Sequence, residues 1–251
     1  MNRNPSKPAS SERPVVSVVI PVYNEAEALP GVLDALRRAM PPDWEAVLVD
    51  DGSTDATPSL LRAAAAADSR LRPLRFPRNL GQSAAFFAGF RAARAPIIAT
   101  MDADGQNDPE DLPRIVAALD GTPFFGAADV ICGWRATRRD SFSRRVASRL
   151  AGAIRRALLR DGVRDTGCSL KAFRREYLDG LAYWDGMHRF LPALCAAAGA
   201  RIAQLPVRHH PRAAGRSKYS NFGRLLRTFP DLLGVRWYLS RAKSLPQAFP
   251  L

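Results

Sequence analysis

Short apolar runs rich in β-branched residues alternate with segments of helical periodicity, and this alternation constrains the fold more than any other feature of the chain. Residues 15–20 and 45–49 have the composition of buried strands. Between them, residues 25–40 space their apolar side chains at helical intervals. Repetition of this strand–helix unit predicts an α/β fold built around a doubly wound, mostly parallel sheet.

Further strands and helices follow in the same alternation. Strands are predicted at residues 74–76, 97–101, 129–135, 169–173 and 201–207, and helices at residues 57–67, 83–93, 109–119 and 221–241. Residues 1–14 are polar and rich in Pro and Ser, and we expect them to form a disordered tail. We therefore expect one domain over residues 15–220, followed by an amphipathic segment over residues 221–251.

Polar residues follow three of the predicted strands, at residues 21–25, 50–55 and 102–106. In a doubly wound sheet, ligands bind beyond the carboxyl ends of the strands, so these three clusters are expected to face one site. Asp102 and Asp104 point to the same side of an extended chain and repel each other unless a cation lies between them. Either the pair binds Mg²⁺ or Mn²⁺ or it belongs to an acidic turn, and the other two clusters favour the metal.

The chain is strongly basic, with a formal net charge of +13 over 251 residues and a pI near 10.7. Such a balance indicates an acidic partner: nucleic acid, a phosphorylated small molecule or an anionic membrane surface. A nucleic-acid-binding module interleaves aromatic residues with its basic residues. The arginine-rich residues 141–164, however, contain a single aromatic residue, Phe142. We therefore rank that function last and expect no nucleic acid partner.

Seven short motifs occur in a characteristic order along the chain. They are Val-Ile-Pro-Val-Tyr-Asn-Glu at 19–25, Val-Asp-Asp-Gly-Ser-Thr-Asp at 49–55, Asn-Leu-Gly at 79–81, Met-Asp-Ala-Asp-Gly-Gln at 101–106, Gly-Trp-Arg at 133–135, Asp-Thr-Gly at 165–167 and Gly-Arg-Ser-Lys-Tyr at 215–219. The first four together resemble the family 2 glycosyltransferases of GT-A fold. The last three are similar to those of enzymes like dolichyl-phosphate mannosyltransferase and bacterial polyprenyl-phosphate glycosyltransferases. The resemblance covers residues 15–241.

The resemblance implies roles for particular side chains. The loop after the first strand and the end of the second strand would hold the base and ribose of a nucleotide-diphosphate sugar, through Pro21, Tyr23, Glu25, Val49 and Asp51. The ligands of Mg²⁺ or Mn²⁺ would be Asp104 and Gln106, together with Asp102, which would lie near both the metal and the ribose. Ala103 would lie beside the sugar nucleotide. The donor diphosphate and the acceptor phosphate would be bound by cations at Arg135, Arg144, Arg212 and Lys218, with Arg145 as an equally good register for Arg144.

The implied reaction moves a hexose from GDP-mannose or a UDP-hexose to a polyprenyl (dolichyl or undecaprenyl) phosphate, with inversion at the anomeric carbon. An ionised phosphate attacks without a general base, and cations bring the two anionic substrates together. Alternatively, an enzyme of this family acts on a saccharide hydroxyl, which requires a base carboxylate for which the sequence offers no convincing candidate. Asp165 either positions the catalytic loop through hydrogen bonds or only starts a turn.

The C-terminal segment bears on where the protein acts. Its predicted helix either packs on the domain or lies in the interface of an anionic membrane, since one face is apolar and arginines lie outside that face. No apolar run approaches the roughly 20 residues of a spanning helix, and three widely spaced cysteines fit a reducing compartment. We expect a cytoplasmic protein that is peripheral at the inner face of the membrane.

Overall fold

The computed structural model describes residues 13–136, 152–153, 155, 157–159, 161–211 and 221–242, with side chains in the last stretch from residue 229 onward. Within these residues, one sheet contains seven strands: β1 (Val16–Val22), β2 (Trp44–Asp50), β3 (Leu71–Arg75), β4 (Ile97–Thr100), β5 (Val130–Arg135), β6 (Lys171–Arg174) and β7 (Ile202–Val207). The helices are α1 (Leu29–Ala39), α2 (Thr57–Ala67), α3 (Gln82–Ala92), α4 (Leu112–Ala117), α5 (Glu176–Asp179), α6 (Leu191–Ala197) and α7 (Asn221–Arg241).

The strand order is β3-β2-β1-β4-β6-β5-β7, which is the mostly parallel, doubly wound arrangement predicted from the alternation of strands and helices. Only β6 among these seven strands runs against its neighbours, β4 and β5. The parallel strands β1, β2, β4 and β5 therefore end at the same side of the sheet, where β6 begins. We call this side the carboxyl edge.

Prolines explain two differences between the predicted and observed helices. The helix predicted from residue 25 begins at Leu29, because Pro30 occupies its first turn, where a missing N–H is tolerated. The helix predicted over residues 109–119 consists of a 3-10 turn (Pro109–Asp111), α4 with Pro113 in its first turn, and a second 3-10 turn (Ala118–Asp120). The third strand is also longer than predicted and starts at Leu71, which pairs with Ala46.

Helices cover both faces of the sheet, as a parallel sheet requires. On one face, α1, α2 and α4 contribute Leu36, Leu61 and Ile115 to a single core. On the other face, α3 lies close against β1, because Gly89 faces Val19. A Cβ atom at Gly89 would lie 2.2 Å from Val19 Cγ1, so only glycine permits this approach of the helix.

From residue 229 onward, where its side chains are described, the C-terminal helix α7 packs one side on the domain. Leu232 and Val235 are buried against Phe190 and Leu194, and Arg189 forms an ion pair with Asp231 at 3.6 Å. A second side of the helix exposes large apolar residues at four-residue intervals: Phe229 (51% exposed), Leu233 (49%) and Trp237 (62%). None of the helices in the described part of the chain combines the length and hydropathy needed to cross a bilayer.

Substitution of Gly89 tests the close packing of α3. We expect Gly89→Ala to lower the free energy of unfolding by about 1–3 kcal/mol, because the added methyl group overpacks the contact with Val19. Gly31→Ala in α1 is the matched control, because a Cβ atom there meets nothing within 4 Å and alanine favours the helix. The control should be neutral or stabilising in a denaturant titration; equal destabilisation by both substitutions would contradict this packing.

Candidate active site

The loops after β1 and β2 are joined by hydrogen bonds at the carboxyl edge. The Asn24 backbone N–H donates to Ser53 Oγ at 2.9 Å, and the Thr54 backbone N–H donates to Asn24 Oδ1 at 2.8 Å. Asn24 adopts a left-handed conformation (φ 52°), which asparagine tolerates better than most residues. The Glu25 backbone N–H donates to Thr57 Oγ1 at 3.0 Å. These bonds hold the two loops as one surface.

The carboxylate of Asp51 attaches a third loop, residues 79–81, to this surface. Asp51 is only 3% exposed and accepts hydrogen bonds from the backbone N–H groups of Leu80 (2.7 Å) and Gly81 (2.9 Å) and from Asn79 Nδ2 (2.9 Å). Burial raises the pKa of Asp51, and the two N–H donors only partly offset it. Gly52 (φ 71°) allows the approach, since a Cβ atom there would collide with the backbone of the third loop.

The pair Asp102 and Asp104 lies just beyond the end of β4. Partial burial is the main cause that raises the pKa of Asp102, and repulsion from Asp104 raises it further. The nearby Ser169 hydroxyl and the positive charges of Lys171 and Arg135 act in the opposite direction, so two cations lie close to Asp102. The site therefore combines a pair of repelling carboxylates with positively charged groups.

Buried polar contacts brace the backbone around this pair. Asn107 is 7% exposed, and its Oδ1 accepts from the Asp102 backbone N–H at 3.0 Å and from Ser169 Oγ at 2.8 Å. The Asp104 carboxylate accepts from the Gln106 backbone N–H at 3.1 Å. The Gln106 carbonyl accepts from the backbone N–H of His210 at 2.9 Å, which connects the loop to the end of β7.

Arg135, at the end of β5, forms a two-point ion pair with Asp165. Its Nε lies 2.7 Å from Asp165 Oδ2 and its Nη2 lies 2.8 Å from Oδ1. Burial acts to lower the pKa of Arg135, but the bonds to Asp165 outweigh burial and raise it. Lys171, 4% exposed, donates to the carbonyl oxygens of Cys168 and Thr166 in the same loop. Of the two interpretations of Asp165, the structure favours the one in which it positions the loop.

The structure brings most of the predicted site residues to the carboxyl edge. They are Pro21, Tyr23, Glu25, Val49, Asp51, Asp102, Ala103, Asp104, Gln106 and Arg135. The side chains of Val49 and Ala103 are buried in the two cores, so the backbone is what these two positions offer to a ligand. The predicted cations Arg144, Arg212 and Lys218, and the alternative Arg145, lie outside the described residues.

Three polar residues at this edge were not predicted: Gln82, Asn107 and Lys171. Gln82 Nε2 donates to Asp102 Oδ1 at 2.9 Å, although the sequence indicates only that Gln82 starts a helix. Asn107 lies in the Asn-Asp-Pro turn, and its position next to the predicted metal ligands was the available signal. Lys171 is an isolated lysine in an apolar strand, and such a residue needs a buried partner.

The oxygen atoms at this edge are of the kind that Mg²⁺ and Mn²⁺ prefer. Burial raises the pKa of Asp102, and repulsion from the nearby Asp104 raises it further, so a cation would relieve the repulsion. Within the part of the chain that the structure describes, no group of three or more His, Cys, Asp or Glu residues could hold a metal ion. The candidate oxygen donors of the protein at this edge are the two carboxylates and the side-chain amide of Gln106.

Curated relatives with similar sequences are enzymes of polyprenyl-phosphate sugars. The dodecaprenyl-phosphate galacturonate synthase of Rhizobium johnstonii is 38% identical over 241 residues, which are 93% of this chain and 70% of the relative. The undecaprenyl-phosphate 4-deoxy-4-formamido-L-arabinose transferase of Salmonella paratyphi A is 38% identical over 222 residues, which are 87% of this chain. The chain spans 66% of the length of that second relative.

Solved structures with the same fold include two glycosyltransferases in complex with nucleotides and metal. A mannosyltransferase from Pyrobaculum calidifontis, with GDP-Man and Mn²⁺, has a TM-score of 0.60 at 22% identity, over 92% of this chain and 71% of that one. Glucosyl-3-phosphoglycerate synthase from Mycobacterium tuberculosis, with Mg²⁺ and UDP, has a TM-score of 0.64 at 22% identity, over 93% and 81%. The profile described as Glycosyl transferase family 2 matches residues 17–181. The chain therefore belongs to glycosyl transferase family 2 and is a glycosyltransferase.

Proposed function

We propose that this protein transfers a sugar from a nucleoside diphosphate sugar to a polyprenyl phosphate, with inversion at the anomeric carbon and with bound Mg²⁺ or Mn²⁺. The names of both 38%-identical relatives specify a polyprenyl phosphate, which supports this acceptor. The donor is proposed as GDP-mannose or a UDP-hexose, because the structural neighbours bind GDP-Man or UDP.

The observation that carries the proposal is the proximity of opposite charges at the carboxyl edge. Asp102, which Asp104 repels, lies within electrostatic reach of Arg135 and Lys171. A reaction between two anionic substrates needs both kinds of group: carboxylates to hold a divalent cation for one diphosphate, and protein cations for a second phosphate. The arrangement therefore suits a phosphate acceptor better than a neutral hydroxyl acceptor.

The donor is proposed to bind over the joined loops after β1 and β2. Pro21, Tyr23 and Glu25 would contact the base and ribose from one side, and Val49 and Asp51 would form the second wall. The Asp51 carboxylate already accepts three hydrogen bonds from residues 79–81, so we assign it the role of holding that wall in place. The backbone at the end of β2 then provides the surface that meets the nucleoside.

Asp102, Asp104 and Gln106 would hold the divalent ion, and Ala103 would lie against the donor. The ion, when bound, stabilises the charge that develops on the departing nucleoside diphosphate. The Asp104 carboxylate accepts a hydrogen bond from the Gln106 backbone N–H, which holds its orientation. Little reorganisation of this group is therefore needed when the ion binds. None of these groups is assigned the removal of a proton.

The acceptor phosphate would lie on the side of Arg135 and Lys171. Because Asp165 neutralises much of the charge of Arg135, we propose that attraction of the acceptor depends on further cations, for which Arg144, Arg212 and Lys218 are the candidates. A polyprenyl phosphate is ionised near neutral pH and attacks the sugar without a general base. In-line attack opposite the leaving diphosphate inverts the anomeric carbon.

We propose that residues 15–220 form the catalytic domain and that residues 221–251 attach it to the cytoplasmic face of an anionic membrane. Phe229, Leu233 and Trp237 supply an exposed apolar surface on α7, while its other side is fixed on the domain. The guanidinium of Arg241 lies 5.3 Å from the centroid of the Trp237 ring, so a cation borders this surface. Membrane contact would bring the site to the lipid acceptor.

A product assay tests the proposed reaction. The protein is incubated with undecaprenyl phosphate, Mn²⁺ or Mg²⁺, and labelled GDP-mannose, UDP-glucose, UDP-GlcNAc or UDP-galacturonate in turn. We expect at least one donor to give a labelled lipid, and undecaprenol without its phosphate to give none. Labelling of a saccharide acceptor without labelling of undecaprenyl phosphate would establish the alternative function.

Asp104→Asn tests the role of the carboxylate pair. We expect turnover to fall about 10²-fold or more, the scale for loss of one charge-stabilising group. The melting temperature should be no lower than that of the unaltered protein, because the substitution removes a repulsion from the folded state. Asp34→Asn is the matched control, because Asp34 is a surface residue that pairs only with Arg37 in α1 among the described contacts. Full activity of Asp104→Asn, or an equal loss in Asp34→Asn, would contradict the assigned role.

The double variant Leu233→Ser and Trp237→Ser tests membrane contact. We expect sedimentation with phosphatidylglycerol vesicles to weaken about tenfold or more, since two exposed apolar side chains no longer enter the interface. Phe124→Ser is the matched control, because Phe124 is an aromatic residue, 91% exposed, that does not lie on α7. Unchanged vesicle binding of the double variant would remove the basis for an interfacial α7.

A further inference from the structure

The turn that begins α3 carries a neutral side chain to the carboxylate pair. We call residues 79–83 the α3 turn. Gln82, the first residue of α3, donates from Nε2 to Asp102 Oδ1 at 2.9 Å. Gly81 precedes it with φ 94°, a conformation that glycine adopts without strain. No other polar side chain of the α3 turn contacts Asp102 in the hydrogen bonds of the described residues.

The α3 turn is held from the sheet side by Asp51. Three donors of the turn converge on that one buried carboxylate: the backbone N–H groups of Leu80 and Gly81 and the side-chain amide of Asn79. A carboxylate that accepts several hydrogen bonds inside a protein resists displacement, because breaking them leaves a charge without partners. These bonds therefore hold the α3 turn at a fixed position beside the end of β2.

The α3 turn is held from the opposite side by Ser83. This serine is fully buried; its Oγ accepts from the Gly186 backbone N–H at 2.9 Å and lies 2.6 Å from His188 Nδ1. The adjacent Arg189 forms the ion pair with Asp231 of α7. Two buried polar anchors, one on each side, thus flank the exposed side chain of Gln82.

We propose that Gln82 is a positioning residue that orients the carboxylate of Asp102 for the metal–nucleotide complex, and that the anchors at Asp51 and Ser83 keep it in place. This inference rests on the proposed function, which makes Asp102 one of the residues that hold the ion. A hydrogen bond to one carboxylate oxygen restricts rotation of the group. The donor is a neutral amide, so it orients Asp102 without neutralising the charge that a divalent ion needs. A lysine or arginine in its place would compete with the ion.

The direct test uses Gln82→Met, which keeps the length and helix propensity of the side chain and removes the donor. Calorimetric titration of Mn²⁺ into the protein with UDP or GDP should give an affinity about tenfold weaker than that of the unaltered protein, the lower end of the loss seen when an outer-shell partner of a metal ligand is removed. The matched control is Gln204→Met, because the amide of Gln204 contacts Gly162 and Arg164 and not Asp102. The control should bind Mn²⁺ and nucleotide as the unaltered protein does. Equal affinity of the Gln82 variant and the unaltered protein would overturn the proposal.

Ser83→Ala tests whether the anchor at Ser83 acts on the metal site through Gln82. It should weaken Mn²⁺–nucleotide binding in the same direction, because the α3 turn loses one anchor. If Ser83 acts through Gln82, the variant that combines Gln82→Met with Ser83→Ala should bind Mn²⁺ and nucleotide no more weakly than Gln82→Met alone. The two losses would then be non-additive. Additive losses would show that Ser83 affects binding independently of Gln82, and the anchoring part of the proposal would fail.

A ligand-free crystal structure of Gln82→Met makes the test independent of the proposed function. We expect the Asp102 carboxylate to take a different rotamer or to occupy more than one. An Asp102 carboxylate in the same single rotamer as in the unaltered protein would overturn the positioning role. If the unaltered protein binds Mn²⁺ with neither nucleotide, the metal part of the proposed function fails, and this structure still decides whether Gln82 positions Asp102.

Discussion

Repulsion between Asp102 and Asp104 is the constraint on which the rest of this site depends. The two carboxylates are separated by one residue, at the end of a strand whose last residues are buried. Burial raises the pKa of Asp102, repulsion from Asp104 raises it further, and both destabilise the ionised pair. The folded chain tolerates this because Ser169, Lys171 and Arg135 lie close enough to offset part of the repulsion. A divalent cation would offset the remainder, so the unfavourable pair is well suited to capture one.

Buried polar groups, more than apolar packing, determine the shape of the site around that pair. Asp51 holds the α3 turn, Asn107 holds the backbone of Asp102, and Asp165 holds the guanidinium of Arg135. The contacts of Asp51 and Asp165 join segments about 30 residues apart, and Asn107 also accepts from Ser169 of a distant loop, so the loops at the carboxyl edge are cross-linked. Such preorganisation favours electrostatic stabilisation, because the charged groups need little rearrangement when substrate binds.

The sequence could predict the parts of this structure that have local signals. Apolar periodicity predicted the strand and helix order, and the strand-end clusters placed Asp51, Asp102 and Asp104 at one edge, as the structure confirms. Contacts that depend on tertiary structure could not be predicted. The sequence indicates only that Gln82 is the first residue of a helix, and its contact with Asp102 joins residues 20 positions apart that the packing of α3 on the sheet brings together.

The choice between an interfacial and a packed C-terminal helix was also beyond the sequence, because the predicted apolar face of α7 is wide enough for both. In the structure Leu232 and Val235 face the domain, while Leu233 and Trp237 remain exposed.

The central claim, that the carboxylate pair holds a divalent ion, is tested most directly by anomalous diffraction from crystals grown with Mn²⁺ and UDP or GDP. The account predicts a manganese peak at bonding distance from Asp104, between the protein and the diphosphate. A bound nucleotide whose diphosphate lies against Asp104 without manganese, or a manganese peak elsewhere, would contradict it.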